Sequence, residues 1–315
     1  MELRPGIAFR ICVVGVIAGL ALFASASRSY PLDARADASP EQLARGTAAT
    51  PYQYRVLVPL LVRVTTDTAD SRAMQRRYRQ LDLIALLAIG FGFRRYLSRF
   101  TARRHADVMA PAIFALLPFN YGMQDFYPYD MPALAFTVWG LVLLGERRFA
   151  AFYLLYIAAT FNRESSLFLA GATAAIWYGR QPHWQTAAHL CAQLGIWLAI
   201  KWYLFVTFDE NVRSGLGLFV PQLKMNAALL FGLPHIAAST LWSWGMLWLP
   251  VIVRYSRLHS IELRRTLMLV PAYVAAMLVV GVVNETRIYG EMLPIVAAAA
   301  FVIFVDYVRS DVQEI

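Results

Sequence analysis

Arginines and acidic residues are gathered in several short polar segments of the chain, where they could bind a phosphate group and move a proton. These segments are 33–37, 52–55, 124–130, 162–164, 209–213 and 284–287. A guanidinium group binds phosphate oxygens through paired donors. We therefore predict that Arg55, Arg163 and Arg287 form a clamp for a phosphate group.

The carboxylates of these segments could move the proton or hold a metal ion while the arginines bind the phosphate. A carboxylate acts as a general base or holds a divalent metal ion, and the candidates are Asp125, Asp130, Glu164 and Glu285. Tyr129, beside Asp130, offers an aromatic ring suited to the face of a sugar. The five histidines show no metal-ligand spacing, so we predict no resident metal site and no cofactor. A divalent ion on the carboxylates stays an alternative.

The same charged residues also have a purely structural interpretation. Arg163 could pair with Glu164, and Glu285 with Arg287, so that each pair only joins neighbouring helices. Charges within a membrane protein are often functional, but they also often satisfy one another. Both interpretations stay open at this point.

Long apolar blocks separate the polar segments and must position them. Hydrophobic residues make up 59% of the 315 residues and charged residues 16%, whereas soluble domains have about 45–50% and about 25%. This pattern excludes an ordinary cytosolic enzyme and predicts an all-α polytopic membrane protein, one domain over residues 1–315. We predict about ten transmembrane helices: Ile11–Ser27, Tyr78–Phe93, Val108–Tyr121, Met131–Gly145, Phe149–Phe161, Ser166–Tyr178, Thr186–Phe208, Ile236–Val253, Leu267–Val283 and Tyr289–Tyr307.

The basic residues predict an orientation in the membrane. The net charge is +9, and arginine supplies 27 of the 29 basic residues. With both termini in the cytoplasm, the cytoplasmic loops and tail after residue 80 hold thirteen arginines, against four basic residues on the other side. This asymmetry explains the charge without a nucleic-acid partner, and the arginine and alanine bias favours a bacterial inner membrane. It also places the polar segments together in one extracytoplasmic cavity.

The first extracytoplasmic loop, residues 28–77, is unusually long. Within it, Arg55–Thr65 is predicted to form a short interfacial or re-entrant helix, because Leu57, Leu60, Leu61 and Val64 fall on one side of it. The apolar block before the loop also resembles a cleavable signal peptide. We favour an uncleaved first span, since nine further spans follow it.

The short hydrophobic helices, the long first outer loop with Asp33 and Asp37, and the outer-face acids and arginines resemble the GT-C superfamily of integral-membrane glycosyltransferases. Tyr54-Arg-Val-Leu-Val-Pro59, Tyr129-Asp130 and Asn162-Arg-Glu164 also resemble motifs of a group of bacterial multi-spanning membrane proteins.

The resemblance implies a sugar donor linked to polyprenyl phosphate and an extracytoplasmic acceptor. It also implies a base in the first outer loop, which would be Asp33 or Asp37. The Asp-x-x-x-Asp spacing is wider than the acidic pairs of the superfamily, and the chain lacks the soluble outer domain of many members. Asp130 is an equal candidate for the base.

The leading hypothesis is therefore a bacterial inner-membrane glycosyltransferase that works by carboxylate-assisted displacement, with the bilayer and a lipid-linked sugar as its partners. The alternatives are a transporter or flippase for an anionic or lipid-linked substrate, and a non-catalytic membrane protein.

Overall fold

The computed structural model describes residues 6–33, 38–122, 126–213 and 222–313, and in these residues the chain is all-α. An isolated bridge between Thr50 and Arg213 is the β-type pairing found there. The α-helices are α1 Ile7–Ala26, α2 Pro40–Arg45, α3 Leu57–Thr65, α4 Ser71–Leu97, α5 Arg103–Met109, α6 Ile113–Leu116, α7 Pro118–Tyr121, α8 Asp130–Gly145, α9 Phe149–Asn162, α10 Leu167–Trp177, α11 His183–Thr207, α12 Leu223–Gly232, α13 Pro234–Leu241, α14 Trp248–Val253, α15 Ile261–Leu267, α16 Leu269–Val280 and α17 Leu293–Gln313. Short 3-10 segments lie at Tyr52–Tyr54, Ala110–Ala112, Glu164–Ser166, Ser243–Met246, Tyr255–Arg257 and Thr286–Met292.

Four stretches are long and apolar enough to cross a membrane: Ile7–Ala26, His183–Thr207, Ile261–Val280 and Thr286–Val308. The chain is therefore a multi-pass membrane protein by the length and hydropathy of its helices. Two further apolar helices, Asp130–Gly145 and Phe149–Asn162, are shorter. The predicted ten spans are not supported by these criteria, because several of them are short or broken.

One predicted span, Val108–Tyr121, is divided among α5, α6 and α7. Pro111 lies in the 3-10 segment between α5 and α6, and Pro118 begins α7. Proline has no backbone N–H to donate and clashes with the preceding turn of a helix. The apolar sequence of Val108–Tyr121 is therefore continuous, but its helix is broken near the two prolines.

A second break divides the predicted span Ile236–Val253 into α13 and α14. Trp244, Gly245 and Met246 have φ values of 59°, 61° and 58°. Left-handed backbone ends a right-handed helix, and it is costly for a large side chain such as that of Trp244.

The core is built around α8, which packs on α4, α9 and α10. Its side chains are buried nearly all round the helix, which is typical of a helix at the centre of a bundle. The first half of α17 is also buried, from Leu293 through Ala300.

Two groups of ion pairs mark the two ends of the bundle. Asp130 begins α8, and Glu146, just beyond its last residue, accepts two hydrogen bonds from Arg95. Sixteen helical residues separate these ends by about 24 Å. We call the end with Asp130 the site end, and the end with Glu146 the opposite end.

The first loop folds over the site end. The predicted helix Arg55–Thr65 is present as α3, which begins two residues later after a 3-10 segment. Val58 and Val62 are buried in the protein, whereas Leu60, Leu61 and Val64 are exposed. Most of the predicted apolar face of α3 thus faces away from the core, as in a helix that lies on lipid.

Candidate functional site

Three arginines and four carboxylates meet at the site end, and we call this group the ionic cluster. Its members are Arg55, Asp130, Arg163, Glu164, Glu285, Arg287 and Glu291. They come from the first loop, the start of α8, the α9–α10 junction and the segment before α17. The cluster therefore joins parts of the chain that are far apart in sequence.

Asp130 lies at the centre of the ionic cluster. Its Oδ1 accepts hydrogen bonds from Nη1 of Arg163 and from Nη1 of Arg287, both at 3.2 Å. The exposed fractions of these residues are 2% for Asp130, 5% for Arg163 and 3% for Arg287. A carboxylate in the first turn of α8 also interacts favourably with the helix dipole. The position of Asp130 is thus fixed by two cations and by its helix.

Arg163 makes a second ion pair, with Glu291. Nη1 of Arg163 lies 3.2 Å from Oε1 of Glu291, and Oγ of Ser165 donates to the same oxygen at 2.6 Å. Glu291 is 3% exposed. The carboxylates of Glu291 and Asp130 together balance the buried charge of Arg163.

Arg287 is held by charge and by an aromatic ring. Its Nη2 donates to Oε2 of Glu285 at 2.6 Å, and its Cζ lies 3.4 Å from the centre of the Tyr127 ring. Cation–π contacts of this kind stabilise a desolvated guanidinium. Its Nε is buried with no hydrogen-bond partner among the described residues, which leaves one donor for a ligand.

Arg55 and Glu164 form the third part of the cluster. Nη2 and Nε of Arg55 donate to the two carboxylate oxygens of Glu164 at 2.5 and 3.3 Å, and its Nη1 donates to the Tyr129 hydroxyl at 2.6 Å. Burial raises the pKa of the Glu164 carboxyl, but the charges of Arg55 and Lys201 outweigh that effect and hold the pKa well below its usual range. Glu164 is therefore a carboxylate at neutral pH.

The backbone around Arg163 explains how neighbouring residues serve different partners. Arg163 is extended, with φ −160° and ψ 147°, whereas Glu164 begins the 3-10 segment Glu164–Ser166, so the backbone changes conformation between the two residues. Arg163 therefore faces Asp130 and Glu291, and Glu164 faces Arg55. The predicted Arg163–Glu164 pair is not formed, whereas the predicted Glu285–Arg287 pair is present.

Hydrogen bonds to the main chain fix the α9–α10 junction. Nδ2 of Asn162 donates to the Tyr129 carbonyl at 2.9 Å, and Nε1 of Trp197 donates to the Glu164 carbonyl at 3.0 Å. Nζ of Lys201 donates to the Thr160 carbonyl at 3.0 Å. The intramembrane lysine and tryptophan of α11 thus support the site.

The 3-10 segment Thr286–Met292, which carries Arg287 and Glu291, is fixed in a similar way. Asn120 and Thr286 exchange hydrogen bonds through their side chains and carbonyls at 3.0 and 3.1 Å. Gly290 lies against the Tyr121 ring, and a Cβ atom there would collide with that ring. Only glycine fits this approach without rearrangement.

The ionic cluster is closely packed. Two gaps beside Arg163, Ser165 and Glu291 measure about 10 Å³ each, which is room for about one water molecule. The side chains of Glu164 and Glu285 are the more open ones, with exposed fractions of 26% and 23%. Glu164 and Glu285 are therefore the carboxylates of the cluster that are most accessible from outside.

Most of the predicted site residues come together in or beside this cluster: Arg55, Tyr129, Asp130, Arg163, Glu164, Glu285 and Arg287. Asp33 is exposed in the first loop and makes no hydrogen bond to the described residues of the cluster. Asp37 and Asp125 lie outside the described residues.

Sequence reasoning left out Ser165, and it noted Glu291 beside the segment 284–287 and Tyr127 as an aromatic ring for a sugar without counting either among the site residues. A signal for Glu291 was present, because it follows Arg287 by four residues and would share a helical face with it. Among the described residues, no group of three or more His, Cys, Asp or Glu side chains is arranged to hold a metal ion. The acidic side chains of the cluster point at arginines instead.

The chain matches no protein-family model, no curated protein and no solved structure. The ionic cluster is therefore the feature from which a function can be inferred.

Proposed function

We propose that the protein is a membrane glycosyltransferase that transfers a sugar from a polyprenyl-phosphate donor to an extracytoplasmic acceptor. One observation carries the proposal: three arginines and four carboxylates from distant segments converge at one end of the bundle. Arginines suit the phosphate of the donor, and carboxylates suit the proton of the acceptor. Aromatic rings at Tyr127 and Tyr129 border the same cluster.

The chemistry would begin with an exchange of partners. The donor phosphate would take the guanidinium groups of Arg55 and Arg287, and this would release Glu164 or Glu285 at the open edge. The released carboxylate would accept the proton of an acceptor hydroxyl, while the oxygen of that hydroxyl forms a bond to the anomeric carbon of the donor sugar. The bond between that carbon and the phosphate oxygen would break, and the phosphate would leave with the electron pair.

Asp130 fits a positioning role better than that of a base. Its carboxylate is almost fully buried and is shared by Arg163 and Arg287. The edge carboxylates of Glu164 and Glu285 have more access to an acceptor.

A membrane arrangement with about ten crossings is part of the proposal. Successive passes alternate between the two ends: α8 leaves the site end at Asp130, α9 returns to it at Asn162, and α10 leads towards Arg180, which pairs with Glu262 at the opposite end. Several crossings would be made of short or broken helices. The roughly 24 Å of α8 is less than a bilayer core of about 30 Å.

The distribution of unpaired arginines supports the proposal that the site end lies on the extracytoplasmic side. At the opposite end, eight arginines make no ion pair within the described residues: Arg103, Arg104, Arg147, Arg148, Arg254, Arg257, Arg264 and Arg265. The long first loop and the start of α4 also hold unpaired arginines, namely Arg63, Arg72, Arg76, Arg77 and Arg79. Arginines in short loops weigh more than those in long loops, and the opposite end carries its arginines in short loops, which is typical of the cytoplasmic side. With that side in the cytoplasm of a bacterial cell, the ionic cluster faces outward, where lipid-linked sugars are used.

The test is donor consumption by membranes that contain the full-length protein. Membranes would be incubated with a bacterial extract of polyprenyl-phosphate-linked sugars, and mass spectrometry would follow the loss of sugar from each donor. We expect Arg55→Gln to lower consumption of one donor at least 100-fold, because a phosphate contact at the reacting centre is lost. Arg95→Gln at the opposite end is the matched control and should leave consumption unchanged.

Insertion and folding of both variants would be checked by size-exclusion chromatography in detergent. If the wild-type protein consumes no donor in the extract, or if Arg55→Gln consumes it at the wild-type rate, glycosyl transfer is excluded as the role of this cluster.

Transport of an anionic or lipid-linked substrate is the second candidate. The close packing of the ionic cluster favours transport. Every arginine of the cluster is already paired with a carboxylate, so an anionic substrate would have to exchange with these carboxylates, and such an exchange of partners needs no covalent step. A lipid-linked sugar that changes leaflet in vesicles without covalent change would support transport. Release of free polyprenyl phosphate would support transfer.

A further inference from the structure

A cavity of about 870 Å³ opens at the opposite end of the bundle, between α14 and α17. Its volume falls within the range of about 300–1,000 Å³ that is typical of small-molecule sites. Its lining is mostly apolar and includes Pro250, Ala300, Phe301 and Phe304. Phe301 lies ten residues beyond Glu291, so roughly 15 Å of helix separates this groove from the ionic cluster.

The rim of the groove is basic. Arg254, Arg257 and His259 line it, against a single carboxylate from Asp306. Neither arginine makes an ion pair within the described part of the chain. This is the reverse of the ionic cluster, where every arginine has a carboxylate partner. The groove therefore carries uncompensated positive charge beside apolar walls.

Exposed apolar residues line the groove or lie on the helix beside it. Ile252 and Val253 on α14 are 67% and 72% exposed, and Phe304 and Tyr307 on α17 are 58% and 51% exposed. The stretch Thr286–Val308 is one of the candidate membrane spans. Phe304 and Tyr307 therefore lie near the end of a spanning helix, at the depth where acyl chains meet headgroups.

We infer that this groove binds an anionic glycerophospholipid, with an acyl chain among Phe301, Phe304 and Pro250 and with the phosphate against Arg254 and Arg257. Basic pockets between transmembrane helices bind phosphate-bearing lipid headgroups. An apolar channel with a cationic mouth matches the two parts of such a lipid. The inference goes beyond the proposed function: it requires a membrane protein, but not sugar transfer.

The experiment measures lipid binding to the purified full-length protein in detergent. Phosphatidylglycerol would be titrated while bound lipid is counted by native mass spectrometry, with phosphatidylcholine of the same acyl chains and inorganic phosphate as separate probes. Two changes address the two parts of the site: Arg254→Gln with Arg257→Gln removes the charge, and Ser256→Trp narrows the exposed mouth. Arg103→Gln with Arg104→Gln is the matched control, because both are exposed arginines outside the groove.

We expect the wild-type protein to bind phosphatidylglycerol more tightly than phosphatidylcholine. The Arg254/Arg257 double variant should weaken this binding by roughly 25-fold, at roughly fivefold for each arginine. Ser256→Trp should also weaken it, and the Arg103/Arg104 variant should not.

Three results would overturn the inference. Equal affinity for phosphatidylcholine would remove the role of the anionic headgroup. Competition by inorganic phosphate at the concentration of the lipid would show an anion site without an acyl chain. Equal losses in the groove variants and the Arg103/Arg104 control would show lipid attracted by net charge alone.

Discussion

The two ends of the bundle differ in how deeply the arginines of their ion pairs are buried. The opposite end also has buried carboxylates, Asp107 and Glu262, but the arginines paired with them are 19–38% exposed. At the site end, Asp130 is shared by Arg163 and Arg287, and all three side chains are almost fully buried. At the opposite end, Arg95 pairs with Glu146 while its side chain stays 50% exposed. The site end has more carboxylates than arginines in its cluster, whereas the opposite end leaves several arginines unpaired.

This difference separates two uses of charge. Exposed ion pairs contribute little to stability, because water already solvates both partners. Buried ions lose that solvation and must be compensated by one another. The exposed Arg95–Glu146 pair at the opposite end is therefore expected to contribute little, whereas each residue of the ionic cluster depends on its partners.

The largest effect is expected from removing the shared carboxylate. Asp130→Ala leaves Arg163 with one partner fewer and Arg287 with Glu285 alone. Loss of one member of a buried pair costs about 3–5 kcal/mol. Thermal unfolding of the purified protein in detergent should therefore shift strongly to lower temperature.

Glu146→Ala is the matched control, because it changes a carboxylate just beyond the other end of the same helix. We expect a cost of about 0–1 kcal/mol there. Equal shifts in the two variants would contradict the distinction between the two ends.

The second prediction concerns coupling within a pair. Arg55→Gln and Glu164→Gln should each destabilise the protein, and the double variant should cost less than the sum of the two. The coupling energy should be about 1–3 kcal/mol for this bidentate pair. The same cycle at Arg95 and Glu146 should give about 0.2–1 kcal/mol. Full additivity at Arg55 and Glu164 would show that their hydrogen bonds contribute nothing to the assembled cluster.

Much of the cluster could be predicted from composition and position along the chain. Arg55, Asp130, Arg163 and Arg287 all lie where an apolar block meets a polar segment, and the same side of the bundle collects them. Alternation of the predicted spans placed these four residues at one end of the bundle, whereas the side of the membrane that this end faces stays a prediction.

The partners within the cluster could not be predicted in the same way. Adjacent residues such as Arg163 and Glu164 suggest a pair, but the backbone changes from extended at Arg163 to a 3-10 segment at Glu164, and the two side chains bind different partners. That backbone conformation is set by the junction between α9 and α10 and by contacts to Tyr129 and Trp197. Such contacts are tertiary and leave no local pattern.

The breaks in the helices were also hidden from hydropathy. The hydropathy of an apolar segment is the same whether its helix is continuous or broken. Val108–Tyr121 and Ile236–Val253 were therefore each predicted as one span. Pro111 and Pro118 give a local warning of the first break. The second break has a weaker signal, since Gly245 permits left-handed backbone but glycine is also common in membrane helices.

The third prediction tests how tightly the site end is assembled around Gly290. Gly290→Ala places a methyl group against the Tyr121 ring, so the segment that carries Arg287 and Glu291 must move. Overpacking of this kind costs about 1–3 kcal/mol. Gly195→Ala in α11 is the control, because no atom lies within 4 Å of its added Cβ. It should be neutral or slightly stabilising, and a comparable loss there would mean that the effect at Gly290 is not one of local packing.

The smallest effect is expected for the pH dependence of the free energy of unfolding, which also distinguishes the two ends. Both Glu164 and Glu146 have pKa values below the usual 4.5: at Glu164 the arginine and lysine charges outweigh burial, and at Glu146 the hydrogen bond from Arg95 is the main cause. A carboxyl with a lowered folded-state pKa stabilises the protein above its unfolded-state pKa, and that contribution is lost as pH falls through the folded-state value.

The stability difference between the wild type and Glu164→Gln should therefore stay constant from pH 8 to pH 5 and shrink only below about pH 4.5. The difference for Glu146→Gln should begin to shrink in the same range, but from a smaller starting value because that pair is more exposed. Added salt should reduce the Glu146 difference more than the Glu164 difference, since screening acts mainly on exposed pairs. A Glu164 difference that already shrinks between pH 7 and pH 6 would mean that Arg55 does not hold this carboxylate. The site end would then be no more strongly coupled than the surface pairs at the opposite end.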